Sequence, residues 1–165
     1  MRPRDVRLSG NRIDGWLVHI PLGRSGTEEA TVDLDDWEEL VSLKLSPNWN
    51  LQGGQVSSRG PLGVEVMVAR VLTDARPGQR ILFLNGDHRD LRKSNLGLQE
   101  YGMSVNHDRA LLIEAAAEFE RRKVLALAKG TYKPRFRKRV PIINPVQPVK
   151  KKRVIREPLP LEIVA

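Results

Sequence analysis

The chain contains no cysteine among its 165 residues. This absence excludes disulfide bonds, thiolate-ligated zinc and cysteine nucleophiles. Aromatic residues make up only 5% of the chain, and no apolar run approaches the roughly 20 residues that a membrane-spanning helix requires. Residues 1–16 are rich in charge and lack the apolar segment of a secretory signal. The composition therefore predicts a soluble, cytoplasmic protein with no membrane partner.

Positive charge is concentrated at one end of the chain, although the total is only +8 at neutral pH. Residues 121–165 hold 14 of the 28 Lys and Arg residues and only two acidic residues, so this segment carries +12. Residues 1–120 hold 14 basic and 18 acidic residues and carry −4. A mildly acidic body with a strongly basic tail predicts that the tail meets an anionic partner.

Short strands around one helix are predicted for the first 65 residues. The segments WLVHIPL and EEATVDL favour strands, and Asp33 is expected to cap the helix DLDDWEELVSLKL. Gly53 and Gly54 are expected to form a hairpin tip, and the later segment VEVMVARVL fits either a strand or a buried helix. The residues that the helix is expected to bury are Leu34, Trp37, Leu40 and Val41.

A long helix is predicted from about Ser104 to Lys129, with Gly130 at its C′ position. From Thr131 the chain holds six of its 11 prolines and two basic clusters, KPRFRKR and KKKR. Because little apolar surface is available there to offset the entropy of ordering, residues 131–165 are predicted to form a disordered tail. The apolar face of the helix is expected to comprise Leu111, Leu112, Ala115, Ala116, Phe119 and Leu125.

The stretch ILFLNGDHRDLRKSNLGL, residues 81–98, has the pattern of a hairpin whose strands flank a polar loop. The hairpin is preceded by the segments IPL, VDLDDWEEL, VEVMVARVL and RPGQ and is followed by SVNH. These segments, taken in this order over residues 18–107, resemble those of the phage-type HNH homing endonucleases. The resemblance implies an α+β fold for residues 1–103, in which short strands and one helix precede an HNH-like ββα hairpin–helix unit. Beyond this domain, the helix predicted from the sequence pattern, residues 104–130, is expected to pack on the domain or to extend from it, and the basic tail follows.

The chain departs from that family at the catalytic positions. In the family, an Asp-His pair ends the first strand and supplies a metal-binding carboxylate and a base that deprotonates water. The matching residues here are Leu82 and Phe83, which neither bind Mg²⁺ nor accept a proton. The metal-binding Asn of the family is kept as Asn95, whereas the upstream His-Arg pair is Ala69 and Arg70. The residues expected to hold the hairpin are Asn85, Gly86, Asp87, Asp90, Arg92, Asn95 and Leu96.

The resemblance and the departures together predict a phage-encoded, catalytically inactive protein that binds double-stranded DNA inside the host cell and needs no cofactor. One alternative is an active, Mg²⁺-dependent nicking endonuclease with a rearranged site. In that alternative His88 and Asn95 are catalytic, and Asp87, Asp90 and Asn95 bind the metal; the ordinary interpretation of His88 is a solvated loop residue. A further alternative is a protein–protein module that binds a host or assembly partner, with EPLPLEIVA as a docking motif.

Basic residues of the loop and of the tail are the candidate nucleic-acid contacts. Arg89, Arg92 and Lys93 form a small patch on the loop, for which a solvated surface is the other interpretation. The tail places Tyr132 and Phe136 among basic residues, a pattern that suits phosphate contacts and base stacking, although a solubilising tail has the same composition. The tail residues assigned to nucleic acid are Lys133, Arg135, Arg137, Lys138, Arg139, Lys150, Lys151, Lys152 and Arg153.

Overall fold

The computed structural model describes residues 5–133 except 12, 14 and 24, together with the backbone of residues 144–145. These residues form a mixed α+β arrangement of three small sheets and three α-helices, which confirms the predicted fold class at this level. No helix in the described part of the chain is long and apolar enough to cross a bilayer.

The first sheet has the strand order β3-β2-β1-β9. Its strands are β1 (Arg7–Asn11), β2 (Gly15–Leu22), β3 (Glu28–Asp33) and the short β9 (Asn144–Pro145). The first three pair antiparallel, and β9 runs parallel to β1. In β2, Val18, Ile20 and Leu22 are buried and alternate with partly exposed residues, because successive side chains of a strand point to opposite faces. The strands predicted for WLVHIPL and EEATVDL are therefore confirmed.

Helix α1 (Leu34–Ser42) follows β3 directly, with Asp33 at the N-cap position. The Asp33 side chain makes no capping hydrogen bond, so the predicted cap is only positional. Trp37 and Leu40 are buried as predicted, and the Trp37 ring packs against Trp49 with centroids 5.7 Å apart. The prediction that Val41 is buried was wrong. The face of α1 against the core runs through Asp36, Trp37 and Leu40, which leaves Val41 beyond its edge.

The second sheet consists of β4 (Asn50–Gln52), β5 (Gln55–Arg59) and β6 (Glu65–Met67), paired antiparallel in that order. Gly53 and Gly54 form the tip between β4 and β5 as predicted, with φ angles of 56° and 77° that favour glycine. The segment VEVMVARVL divides into β6 and the short helix α2 (Val68–Leu72), so each of the two interpretations applies to one half of it.

The third sheet is the hairpin of β7 (Arg80–Phe83) and β8 (Leu96–Gln99), and helix α3 (Asp108–Ala128) comes after it. The helix begins later than predicted because the segment before it is bonded to the turn at Gly78, whose amide donates to the Ser104 carbonyl and whose carbonyl accepts from the Gly102 amide. It ends as predicted: Gly130 has φ 64°, and the Thr131 amide donates to the Ala126 carbonyl at 2.9 Å.

Helix α3 packs against α2, β6 and the 3₁₀ turn Pro61–Gly63 through a narrow face. Leu112 and Ala115 are buried there, and Ala116 and Phe119 are half-buried. The prediction that Leu111 and Leu125 belong to this face was wrong, since both side chains are exposed on other sides of the helix. The spacing of apolar residues therefore predicted which face of α3 packs against the body, but it overestimated how wide that face is.

The buried guanidinium of Arg70, on α2, holds the hairpin and the start of α3 in place. It donates to the carbonyls of Gln79 at 2.8 Å and of Asn106 at 2.6 Å, and its Nε lies 3.6 Å from the Asp108 carboxylate. Further hydrogen bonds go to the carbonyls of Ala75 and Arg76, in the turn before β7. One side chain therefore fixes two separate segments, the turn before β7 and the start of α3, relative to α2.

We predict that Arg70→Met lowers the free energy of unfolding by about 3–5 kcal/mol, because the buried Asp108 charge and four carbonyls lose their partner. Chemical denaturation monitored by circular dichroism measures this change. The matched control is Arg76→Met, an exposed site where the change should stay within about 0.5 kcal/mol. Equal stability of the two variants would contradict the assigned role of Arg70.

Candidate functional site

The loop between β7 and β8, residues 84–95, is attached to the first sheet at the edge formed by β3. The Thr31 amide donates to the Arg89 carbonyl at 2.9 Å, and the Leu91 amide donates to the Thr31 carbonyl at 2.8 Å. Thr31 and Asp90 form a parallel β-bridge, and the Leu91 side chain is fully buried. The middle of the loop is therefore hydrogen-bonded to β3 in the way that a short edge strand would be.

Asn95 braces the loop from within. Its buried side-chain oxygen accepts a hydrogen bond from the Asn85 amide at 2.8 Å, and its side-chain nitrogen donates to the Asp90 carbonyl at 2.8 Å. Its own carbonyl accepts from the Leu84 amide at 2.9 Å. Because a buried amide needs partners for both its oxygen and its nitrogen, Asn95 is fully used by the loop itself.

Asp90 is the second buried polar residue of the loop, and Arg92 binds it with two side-chain hydrogen bonds and one from its backbone amide. Arg92 Nε donates to Oδ1 at 2.8 Å and Nη2 donates to Oδ2 at 2.6 Å, while the Asn85 side-chain nitrogen donates to Oδ2 at 2.8 Å. The hydrogen bond from Arg92 holds the pKa of Asp90 below its usual value of 3.8, although burial opposes this. The carboxylate is ionised and saturated by its neighbours.

The other two basic residues of the loop are also paired with acids. Arg89 donates from its amide and from Nε to Asp87 Oδ1, at 2.9 and 3.1 Å, and lies 3.6 Å from Glu28. The Arg89 backbone amide is the main reason that the pKa of Asp87 is lowered. Lys93 forms an ion pair with the buried carboxylate of Asp36, on α1. The predicted basic patch is present at the surface, but each of its charges is compensated.

His88 makes its contacts on a different side of the loop. Its Nδ1 is 2.6 Å from the Gly54 carbonyl, at the tip of the β4–β5 hairpin, and its ring stacks on Phe83 with centroids 4.5 Å apart. The rearranged catalytic site requires His88 to work together with Asp87, Asp90 and Asn95, whose contacts are described above. In the described part of the chain, no three His, Asp or Glu side chains are placed to share a metal ion.

Leu82 and Phe83, at the positions where the resemblance implies a metal ligand and a base, are half-buried apolar residues. Phe83 packs against the hydrophobic core and pairs with Leu96 across the hairpin, while Leu82 pairs with Gly97. These two side chains add apolar contacts to the strand that leads into the loop. They offer no lone pair to a cation and no base to a water molecule.

A concavity of about 290 Å³ lies between the first sheet and the loop. Sequence reasoning missed its sheet side, because β-strand alternation gives no sign of which later loop will face a strand. His19 lies there between Ser9, whose Oγ is 2.5 Å from Nε2, and Thr31, whose Oγ1 is 3.3 Å from Nδ1. Burial lowers the pKa of His19. The residues that line the concavity are Leu17, His19, Glu29, Thr31, Asp87, Arg89, Asp90 and Arg92.

Only one of the tail residues assigned to nucleic acid is described by the structure. Lys133 is exposed, a few residues after the end of α3. The predicted disorder of the tail and the proposed docking motif EPLPLEIVA fall largely or wholly outside the described residues. The assigned residues that also lie outside them are Arg135, Arg137, Lys138, Arg139, Lys150, Lys151, Lys152 and Arg153.

Comparison of the chain with known protein families, curated proteins and solved structures found no match. A function for the chain is therefore inferred from its residues and their contacts.

We predict that Asp90 contributes to the pH dependence of stability, because its pKa is lower in the folded protein than the ordinary 3.8. A lowered pKa stabilises the fold fully above the unfolded-state value, and this contribution is lost as the pH falls through the folded-state value. Asp90→Asn should therefore give a shallower fall in the free energy of unfolding below about pH 5 than the wild type. Urea denaturation at a series of pH values measures both slopes, and parallel curves would contradict the prediction.

Proposed function

We propose that this protein binds double-stranded DNA without cleaving it, using a degenerate HNH-type hairpin and a basic tail. In this proposal β7 and β8 correspond to the two strands of the ββα unit, and α3 takes the place of its helix, because the described residues from the end of β8 to residue 103, where the unit was expected to end, form no helix. The DNA is phage or host DNA inside the infected cell. Each part of the proposal draws on a different feature. The polar loop supports the relation to HNH-type hairpins, the apolar end of β7 supports the lack of cleavage, and the charge distribution supports binding to DNA.

The observation that carries the proposal is the contrast between the loop and the strand that leads into it. The loop keeps the polar residues of the family pattern, and they bond to one another: Asn85, Asp90 and Asn95 form one connected network. The strand ends in Leu82 and Phe83, where the chemistry requires a carboxylate and an imidazole. A hairpin that keeps its stabilising hydrogen bonds but lacks the catalytic carboxylate and imidazole favours a binding role over a catalytic one.

The acidic residues of the loop also support inactivity. A hard cation such as Mg²⁺ prefers carboxylate oxygens that are free to coordinate it. The Asp90 carboxylate is bound by Arg92 and Asn85, and Asp87 Oδ1 accepts two hydrogen bonds from Arg89. Recruiting Asp90 to a metal would require its bonds to Arg92 and Asn85 to break first.

Electrostatics favour the tail as the main source of affinity for DNA. Loop residues Arg89, Arg92 and Lys93 are each in an ion pair, so they add little net positive potential. The tail, residues 131–165, holds ten basic and two acidic residues and carries +8; with the four basic residues of 121–130, residues 121–165 carry +12, and the rest of the chain carries −4. Phosphate contacts release condensed counterions, and the segment with the excess of cations gains most from that release. The partly exposed loop arginines then position the hairpin on the backbone and do not drive binding.

We predict that the full-length protein binds supercoiled plasmid but does not nick it with either Mg²⁺ or Mn²⁺. The reason is that Leu82 and Phe83 leave the reaction without a metal-binding carboxylate and without a base. Agarose electrophoresis and a mobility-shift assay on the same samples measure cleavage and binding together. Metal-dependent nicking that disappears in His88→Ala would overturn inactivity and favour the rearranged enzyme.

We further predict that replacing Lys150, Lys151 and Lys152 by Gln reduces the slope of log affinity against log salt by about 2.7. This value is the full effect of removing three phosphate contacts from duplex DNA. Fluorescence anisotropy with a labelled duplex at several salt concentrations measures it in the full-length chain.

The matched control replaces three basic residues that are exposed on the body, Arg59, Arg76 and Arg80, by Gln. Its net charge is the same as that of the tail variant, so a general effect of charge would change both slopes equally. Identical slopes for the wild type and the tail variant would contradict binding through the tail and leave a protein partner as the better explanation.

A further inference from the structure

Helix α3 carries large apolar side chains on the side that faces away from the body. On that side Ile113 is 47% exposed and Val124 is 61% exposed, and Leu125 and Leu127, which flank it to the left and right, are more than half exposed. The opposite side packs through Leu112 and Ala115. A helix that is apolar on two sides is typically buried on both. Within the described residues, however, the outward side remains open to solvent.

The outward side has the spacing of a helix-packing surface. Its residues recur at intervals of three and four, which places them in one line along the helix. The alanines of this line would let a second helix approach closely, and Ile113 and Val124 are the projecting side chains that would fill the gaps between its residues. We name it the outer stripe, and its residues are Ala110, Ile113, Ala117, Arg121, Val124 and Ala128.

Two charges along one edge of the outer stripe, Arg121 within it and Glu114 next to it, are complementary to their own two-fold copy. Glu114 and Arg121 are two helical turns apart along the same edge of the stripe. When two such helices pair antiparallel about a two-fold axis near Ala117, Glu114 of one copy faces Arg121 of the other, and the contact occurs twice. The same axis brings Ile113 within about half a helical turn of Val124 of the second copy.

We propose that the outer stripe is a homodimer interface, in which α3 of one chain packs antiparallel on α3 of a second copy. A two-fold axis makes each surface patch meet itself, so the patch must carry both charges of each ion pair, as the Glu114–Arg121 edge does. Arg121 has an intrachain ion pair with Glu118 at 3.4 Å, but its side chain is largely exposed, so that pair is weak and does not prevent the contact. This inference does not depend on the proposed function.

Sedimentation velocity of the full-length protein tests the interface. We expect a dimer at micromolar concentration and a monomer for Val124→Asp, because that change buries a charge in each half of the contact. The matched control is Ile13→Asp, at an apolar residue that is 93% exposed in the turn after β1, and it should remain dimeric. A wild-type protein that stays monomeric at about 100 µM, where even weak dimers form, would overturn the proposal. A Val124→Asp variant that stays dimeric would also overturn it.

A charge exchange supplies a second test that does not rely on an apolar-to-charged change. Glu114→Arg alone and Arg121→Glu alone should each weaken the dimer by about tenfold or more, since like charges then face each other twice. The double variant restores opposite charges and should recover a dissociation constant close to that of the wild type. Failure of the double variant to dimerise better than both single variants would overturn the antiparallel arrangement.

Discussion

The buried Arg70 side chain is the constraint on which the placement of the hairpin depends. Carbonyls from the turn before β7 and from the segment before α3 converge on one guanidinium beside Asp108. A buried cation without such partners would cost several kcal/mol, so these segments are stable only as a set. These segments also determine where the loop after β7 begins. The hydrogen bonds of Arg89 and Leu91 to Thr31 then attach the middle of the loop to the first sheet.

Charge compensation gives the loop a different role from the one its sequence indicates. Arg89, Arg92 and Lys93 are a basic cluster in the sequence, but in the fold their partners are Asp87, Asp90 and Asp36. Two of these acids are close in sequence, whereas Asp36 comes from α1. A loop of this kind is nearly neutral, so in the proposed function the long-range attraction to DNA comes from residues 121–165.

Features that depend on neighbours in the sequence could be predicted, and features that depend on distant partners could not. The Gly53–Gly54 tip and the Gly130 helix end follow from the left-handed backbone that glycine adopts easily. The exposure of Val41 and Leu125 depends on which side of each helix meets the body, and periodicity does not give that side when apolar residues are spread around the helix. The concavity at His19 requires β2 and a much later loop to meet, a contact that no local pattern contains.

If the hairpin is the proposed degenerate one, the contacts of the loop explain why it is retained without catalysis. Leu91 is part of the hydrophobic core, and Lys93 pairs with the buried Asp36, so the loop stabilises the fold whatever its chemistry. A carboxylate and an imidazole at the end of β7 would place two polar groups on a half-buried strand, and polar groups are costly there without partners. Leu82 and Phe83 remove that cost, and Phe83 adds packing against the core and His88. In the proposed degenerate HNH-type hairpin, the changes that end catalysis therefore also stabilise the strand.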